Sequence, residues 1–387
     1  MNLWVTLHCS TLLASRIFIM LCMLPIITVY QDELMVTHAI WVGFAVGCYG
    51  LTQAIMQLIM GYLSDVYGRI KIIQIGLFVF FIGSLIPVLS LNIYTLIASR
   101  LLQGLGAIGA VVTAWLQELV PTNERPLALA IVGLFIGISF ITSFGTSVWV
   151  VETYSLSTLV NWIALFSLIT FLSSLIYTSP SGHAAGQASQ YQAITALLAS
   201  RQHMVFFYLV FCLHQLFACH FCFVPASLKA SHLGTPYHYT ITLVTSFLLA
   251  VPVLLWHRQQ AKFQQTNVIG IGLAMVGYWL FYWPSYSYPL TSLTIFFTGF
   301  NILEAIMPNL LTSQCQHSQR GLLLGLYYTF QYLGIFSGGM VGGVALAWSN
   351  NQTLSPYLAG MYMLLLMLPL MLTYRPSYAK LAHDDLS

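Results

Sequence analysis

The chain has 387 residues, of which 58% are hydrophobic and only 5% charged, and its formal net charge is +3. An ordinary soluble domain carries about 25% charged residues, so a mostly water-facing surface is excluded and the solvent for most of this chain is lipid. The small, dispersed positive charge also excludes a nucleic-acid partner.

The mean hydropathy of +0.83 agrees. The apolar runs are about 18 to 24 residues long, the length of helices that cross a hydrocarbon core of about 30 Å. They lack the period-2 alternation of barrel strands, which are about ten residues long. In chain order, spans are expected at 9–30, 39–60, 72–90, 93–116, 127–149, 158–177, 203–226, 237–255, 266–283, 289–311, 321–346 and 354–374. The first run has no small-residue cleavage site and a second span follows at once, so it reads as a retained helix, not a leader. The expected fold is an all-α membrane protein of twelve transmembrane helices in two six-helix pseudo-repeats. The expected domains are an N-terminal bundle at 1–178, a cytoplasmic linker at 179–202 and a C-terminal bundle at 203–387.

Basic residues orient the chain. Arg69, Lys71, Arg125, Arg201, Arg258, Lys262, Arg320, Arg375 and Lys380 fall on one side of the expected spans, and Lys229 alone on the other. Both termini are therefore expected in the cytoplasm. A weak repeat relates the halves: "NERPLALAIVG" opens the fifth span and "SQRGLLLGLYY" the eleventh, with Arg125 and Arg320 separated by 195 residues (320 − 125). Two similar halves suit a transporter with a midplane site between them. The cysteines Cys9, Cys22, Cys48, Cys212, Cys219, Cys222 and Cys315 fall mostly in apolar runs and read as buried thiols, not a disulfide framework.

Between spans two and three lies "GYLSDVYGRIK", residues 61–71. Gly61 is a small residue at which helix ends approach closely. Asp65 and Arg69 stand four apart and can pair, and Gly68 suits a tight bend. Span four contains "RLLQGLGAIGA", with Arg100 about a third of the way into the span and Glu118 at its end. A guanidinium inside a span needs a partner or a wet cavity.

These segments resemble the major facilitator superfamily. Gly61, Leu63, Asp65, Gly68 and Arg69 match its signature loop, although Val66 replaces a usual basic residue and Ile70 intervenes before Lys71. The Arg100–Gln103–Gly104 pattern is similar to a motif of its drug:proton antiporters. The resemblance implies a role for Arg100 near proton transfer and a gating cluster of Asp65, Arg69 and Glu118. With "YGLTQAIMQLIMGYLSD", "FNILEAIMPNLL" and "QRGLLLGLYYTFQYLGIFSGGMVGG", nearly the whole chain resembles the YajR-type bacterial members. Those carry a small soluble domain after the last helix, whereas about a dozen residues follow the last span here. The fifth span reads "GLFIGISFITSFG" in place of the Gly-Pro motif of antiporters.

Of the nine acids, Glu304 alone is expected well inside the bilayer, a position suited to carrying a proton. Pro308 follows one turn later and is expected to bend the helix. Asp32 and Glu33 mark a water boundary. Arg16 in span one either snorkels to the interface or lines the cavity and takes an anionic group. In span seven, His214 and His220 are candidate titrating groups, with His214 assigned to proton coupling. Cys219 and Cys222 share a face, but no acid accompanies them and no metal site is expected. Candidate substrate contacts are Tyr49, Gln53, Gln57, Gln103, Tyr327, Tyr328 and Gln331, which either line a cavity or bond across helices. Gly334, Gly338 and Gly342, with Gly339 and Gly343, read as close-packing surfaces.

The expected function is secondary transport: proton-coupled export of a small amphipathic compound by alternating access. The alternatives are a proton-coupled importer of a metabolite or siderophore-like chelate, or a membrane sensor or enzyme on a transporter-like scaffold. No paired carboxylates, nucleophile elbow or phosphate loop is present, so no enzyme, no cofactor and no ATP-driven step is expected. The expected partners are the lipid bilayer, protons and a small-molecule substrate. The expected setting is the bacterial inner membrane, with the protein acting as a monomer.

Overall fold

A computed structural model describes residues 3–121, 124–177, 195, 197–260, 263–283, 287–313 and 320–348. The expected twelfth span, most of the 179–202 linker, Lys262, Cys315, Arg375, Lys380, Asp384 and Asp385 lie outside the described residues. Among the described residues, ten helices are long and apolar enough to cross a membrane. A further helix, Phe263–Tyr282, falls on the expected ninth span.

The helices follow the expected spans with two kinds of departure. Span one is divided into α1 (Leu3–Cys22) and α2 (Leu24–Ile27). Spans two and three are α3 (Ile40–Tyr67) and α4 (Arg69–Leu89). Span four is also broken, into α5 (Ile93–Leu105) and α6 (Gly109–Leu119). Then come α7 (Arg125–Thr153) and α8 (Leu156–Ser174). Span seven is α9 (Arg201–Phe221) with α10 (Val224–Ala230). The remainder are α11 (Pro236–Gln260), α12 (Phe263–Tyr282), α13 (Pro289–Ser313) and α14 (Arg320–Trp348).

The breaks have local causes. Pro25 and Pro225 each sit at the start of the short helix that follows the break, and neither has an amide hydrogen to continue the helix before it. They stand 200 positions apart (225 − 25), so the break is itself repeated between the halves. The α5–α6 break falls in the glycine-dense stretch Gly104–Gly109, where Gly106 lies directly against the backbone of Gly76 in α4.

Helix pairing repeats as well. The α1·α7 contact corresponds to α9·α14, α4·α5 to α12·α13, and α3·α5 to α11·α13. The two most extensive contacts between the halves, α3·α14 and α7·α11, are each the counterpart of the other. Arg125 and Arg320, the paired residues of the sequence repeat, begin α7 and α14, each 29 residues long.

Side-chain polarity runs opposite to that of a water-soluble bundle. In α8, Leu165, Phe166, Ile169 and Leu172 are exposed, while Ser167, Thr170 and Ser174 are buried. Each buried hydroxyl returns its proton to a carbonyl one turn earlier, as in Ser167 Oγ to Ala164 O at 2.8 Å and Thr170 Oγ1 to Phe166 O at 2.8 Å. Lipid rewards an apolar exterior, and association relies on small residues and internal hydrogen bonds.

The α3·α14 seam is the clearest case. Gly43, Gly47 and Gly50 of α3 lie against Gly339, Gly343, Phe336 and the Tyr332 carbonyl of α14. Gly334, Gly338 and Gly342, on another face of α14, lie against Phe211 and Gln215 of α9 and Cys222 directly after it. The expected close-packing role of these glycines therefore has two partners, one on each side of α14. Gly61 departs from expectation: a Cβ there would meet nothing within 4 Å, so no close helix approach depends on it.

Candidate functional site

Three polar groupings stand out. The first is the signature loop. Gly68 caps α3 at φ 96°, a left-handed conformation that favours glycine, and the chain turns directly into α4. The turn brings Arg69 onto Asp65. Arg69 also bonds Glu118 at the end of α6, Nε to Oε1 at 3.0 Å and Nη2 to Oε1 at 2.9 Å. Its Nη1 donates to Ser64 Oγ at 2.6 Å, a partner that reading the sequence missed. Asp65, Arg69 and Glu118 thus come together as the resemblance implied. Their side chains are 26%, 18% and 53% exposed, so the cluster is in partial contact with solvent.

At the same end, a cavity of about 260 Å³ opens between α6, α7 and α14. Glu118, Arg125 and Gln117 lie at its mouth, with Thr113, Ala110 and Tyr328 further along. At the opposite end the described helices pack closely. There α3 and α14 meet through their glycines, and Gly145 of α7 lies against Pro236 and Thr240 of α11. Phe140 and Phe144 of α7 interleave with Phe217 and Phe221 of α9 and Phe297 and Phe300 of α13.

The second grouping is in the first half. Arg16 of α1 is 3% exposed and Arg100 of α5 is 1% exposed. Arg16 Nη2 donates to Gln53 Oε1 at 2.7 Å and to the Gln103 carbonyl at 3.4 Å. Its guanidinium stands 5.3 Å from the Phe80 ring, and Tyr332 reaches it across the seam from α14. Arg100 lies 4.6 Å over the Tyr49 ring and donates to the Met20 carbonyl at 3.2 Å. Gln103 donates to Ser84 Oγ at 3.0 Å. Arg100, for which the resemblance implied a role near proton transfer, is held by α1 and α3 and makes no ion pair with Glu304. Snorkelling does not describe Arg16, which stays within the bundle.

The third grouping is in the second half. His214 of α9, Glu304 of α13 and Gln331 of α14 meet. His214 Nδ1 faces the Val210 carbonyl at 3.1 Å, and a carbonyl only accepts, so Nδ1 carries a proton. Nε2 faces the Gln331 amide nitrogen at 2.7 Å and accepts from it, which makes the imidazole neutral. Glu304 Oε1 stands 3.6 Å from the same Nε2 without a hydrogen bond. Tyr327, Tyr328 and Tyr332 lie within the electrostatic reach of Glu304. Phe300 packs edge-on to the imidazole at 5.4 Å.

The remaining candidates divide. Tyr328 lines the cavity, whereas Gln57 is buried beside Gly109 and is not among its lining residues. Tyr49 and Gln103 are occupied within the first half. His220 is enclosed by Tyr278, Phe281, Tyr282 and Phe296 and bonded to Tyr282 Oη at 3.1 Å, away from the other groups. Tyr332 escaped the sequence reading. Its signal was its position one turn after Tyr328, on the same face of α14.

The sequence profile described as Major Facilitator Superfamily matches residues 9–339. The inner membrane transport protein YajR of Escherichia coli (strain K12) is 31% identical over 353 residues, covering 89% of this chain and 76% of that protein. An uncharacterized transporter of Buchnera aphidicola subsp. Schizaphis graminum is 31% identical over 364 residues, covering 91% of this chain and 92% of that one. A solved POT family transporter in complex with 5-aminolevulinic acid superposes with a TM-score of 0.76 at 13% identity, covering 96% of this chain and 95% of that one. At that identity the likeness concerns the fold.

Proposed function

The chain belongs to the major facilitator superfamily and is a multi-pass membrane transporter, and on that premise we propose that it couples proton movement to export of a small amphipathic compound by alternating access. It works as a monomer of two six-helix bundles, 1–178 and 203–387, in a bacterial inner membrane with both termini cytoplasmic. The cavity at the signature-loop end is then the cytoplasmic vestibule, and the glycine seams close the outer end.

The observation that carries proton coupling is the His214–Glu304–Gln331 contact. A proton arriving at Glu304 Oε1 gives an O–H that faces His214 Nε2 and competes with Gln331 for its lone pair, so a contact without a hydrogen bond becomes one joining α9 to α13. Loss of the proton frees Glu304 again. The element that toggles lies beside α14, whose seam with α3 must open and close for access to alternate. The Asp65–Arg69–Glu118 cluster ties the α3–α4 turn to α6 and favours one of the two states.

The test uses proteoliposomes and a panel of aryl carboxylates, aryl amides and aryl amines. Flux of a transported member should follow an imposed pH gradient in the wild type. In Glu304→Gln it should lose its dependence on that gradient, while the protein stays monodisperse. A flux that responds to the gradient equally in both removes Glu304 from this role.

A second reading, proton-coupled import, is favoured by α7. It runs unbroken through "GLFIGISFITSFG", without the proline motif of antiporters. Counterflow under opposite gradients separates the two directions.

A further inference from the structure

We infer that the transported molecule carries a carboxylate-like anionic group and that Arg16 with Gln53 forms its binding site. This rests on the transporter reading but not on the direction in which the proton moves.

The chemistry of the unpartnered atoms points to an acceptor. Arginine has donors only. The 2.7 Å bond from Arg16 Nη2 therefore fixes the Gln53 oxygen toward Arg16 and turns the Gln53 amide nitrogen away. Arg16 Nε is a buried donor without a partner, and the Gln53 amide nitrogen finds only the Tyr332 hydroxyl of the other half. Gln53 is fully buried and Arg16 is 3% exposed. Two neighbouring donors on linked side chains thus have no accepting oxygen within their own half beyond the Gln103 carbonyl, and depend on Tyr332 across the seam. A buried unpaired donor is costly, and a buried charge more so.

No carboxylate lies within ion-pair distance of Arg16 among the described residues. Asp65, Glu118 and Glu124 lie toward the signature-loop end, and Asp32, Glu33 and Glu152 toward the other. Glu304 belongs to the opposite half, with Tyr332 in the electrostatic field of both it and Arg16. Arg16 is thus a full positive charge whose partners, Gln53, the Gln103 carbonyl, Tyr332 and the Phe80 face, are all neutral.

Position separates Arg16 from Arg100. Arg100 also has buried nitrogens without a partner, Nε and Nη2, but the neighbours it does have, the Tyr49 ring and the Met20 carbonyl, both belong to the first half. Arg16 reaches across the seam to Tyr332, a partner that opening of α3 from α14 takes away. Tyr328, which lines the vestibule, precedes Tyr332 by one turn on the same face of α14. The line from the vestibule along α14 therefore leads to Arg16. A planar guanidinium beside an amide donor matches a carboxylate, whereas a neutral ligand leaves the charge unmatched and an amine is repelled.

The test is thermal unfolding of the purified full chain in detergent with phenylacetate, phenylacetamide and phenethylamine and their 4-carbon homologues. Carboxylates should raise Tm in a saturable way, and the matched amides and amines should not. Arg16→Gln should abolish that response. Arg16→Lys keeps the charge but loses the fork, and should weaken the apparent carboxylate Kd about tenfold. Gln53→Leu, which removes an uncharged donor together with the acceptor on Arg16 Nη2, should weaken it as well and serves if Arg16→Gln does not fold. Stabilisation by amides or amines as strong as by carboxylates, no stabilisation by any carboxylate, or wild-type carboxylate affinity in these variants overturns the inference. Glu304→Gln should retain the carboxylate response while losing pH-driven flux. Carboxylate binding without proton coupling would sink the proposed function and leave Arg16 as the anion site. Proton-coupled flux of amines alone would do the reverse.

Discussion

Arg69 and Arg100 are the same residue in two solvents. Arg69 lies in the signature loop, 18% exposed, with two carboxylates and a serine hydroxyl around it. Arg100 is 1% exposed and has an aromatic face and one backbone carbonyl. At the loop end water shares the electrostatic work, so charges are abundant there and each pair contributes little. In the centre water is excluded, so charges are few and every neighbour matters. The difference separates a cluster that biases a conformational equilibrium from a centre whose charges define what can bind.

The largest expected effect comes from breaching the seam that seals the centre. Gly339→Leu places a branched side chain where Gly43 and Gly47 of α3 already touch. It should cost about 3 kcal/mol or more, because overpacking here must shift backbone. Thermal unfolding in detergent measures it, and an unchanged Tm would mean the seam is not close-packed.

A smaller loss is expected inside the centre. Gln331→Leu removes the donor on His214 Nε2 and leaves a buried acceptor unpaired, which should cost about 1–3 kcal/mol. The same variant should alter the pH dependence of flux. A stability loss with an unaltered pH profile would make Gln331 structural only.

Two glycines of the loop sharpen the contrast further. Gly68 stands at φ 96°, and Gly68→Ala should destabilise by about 1 kcal/mol or more. Gly61→Ala adds a methyl that meets nothing, within helix α3, and should be neutral or stabilise by about 0.5–1 kcal/mol. Equal effects at the two positions would contradict the conformations seen.

The smallest effect should be at the exposed cluster. Arg69→Gln should lower stability by less than about 1 kcal/mol. The wild-type advantage should fade in 1 M salt, where screening acts over about 3 Å. A loss that persists in high salt would place Arg69 among the buried charges instead.

Much of this was legible from residue type and spacing. A hydrophobic run of span length has few folded solutions in lipid, so the helices appear where the apolar runs predict them. Asp65 and Arg69 meet because they stand four positions apart along the chain, and contacts set by local spacing survive any packing. Glu304 was conspicuous as the one acid deep in an apolar run. His214 and Gln331 were candidates, but their meeting with Glu304 depends on three helices that are distant in sequence.

What the sequence by itself determined was the solvent, the helical segments, the repeat and the local loop geometry, because each follows from composition or from neighbours within a turn or two. The tertiary structure alone decided that Arg100 faces Tyr49 and not Glu304, that Gly61 touches nothing while Gly339 touches α3, and that Tyr332 joins Arg16. Those outcomes depend on how helices rotate about their axes and cross. In lipid that rotation is set by small-residue seams and buried hydrogen bonds between distant segments, which a linear pattern does not encode.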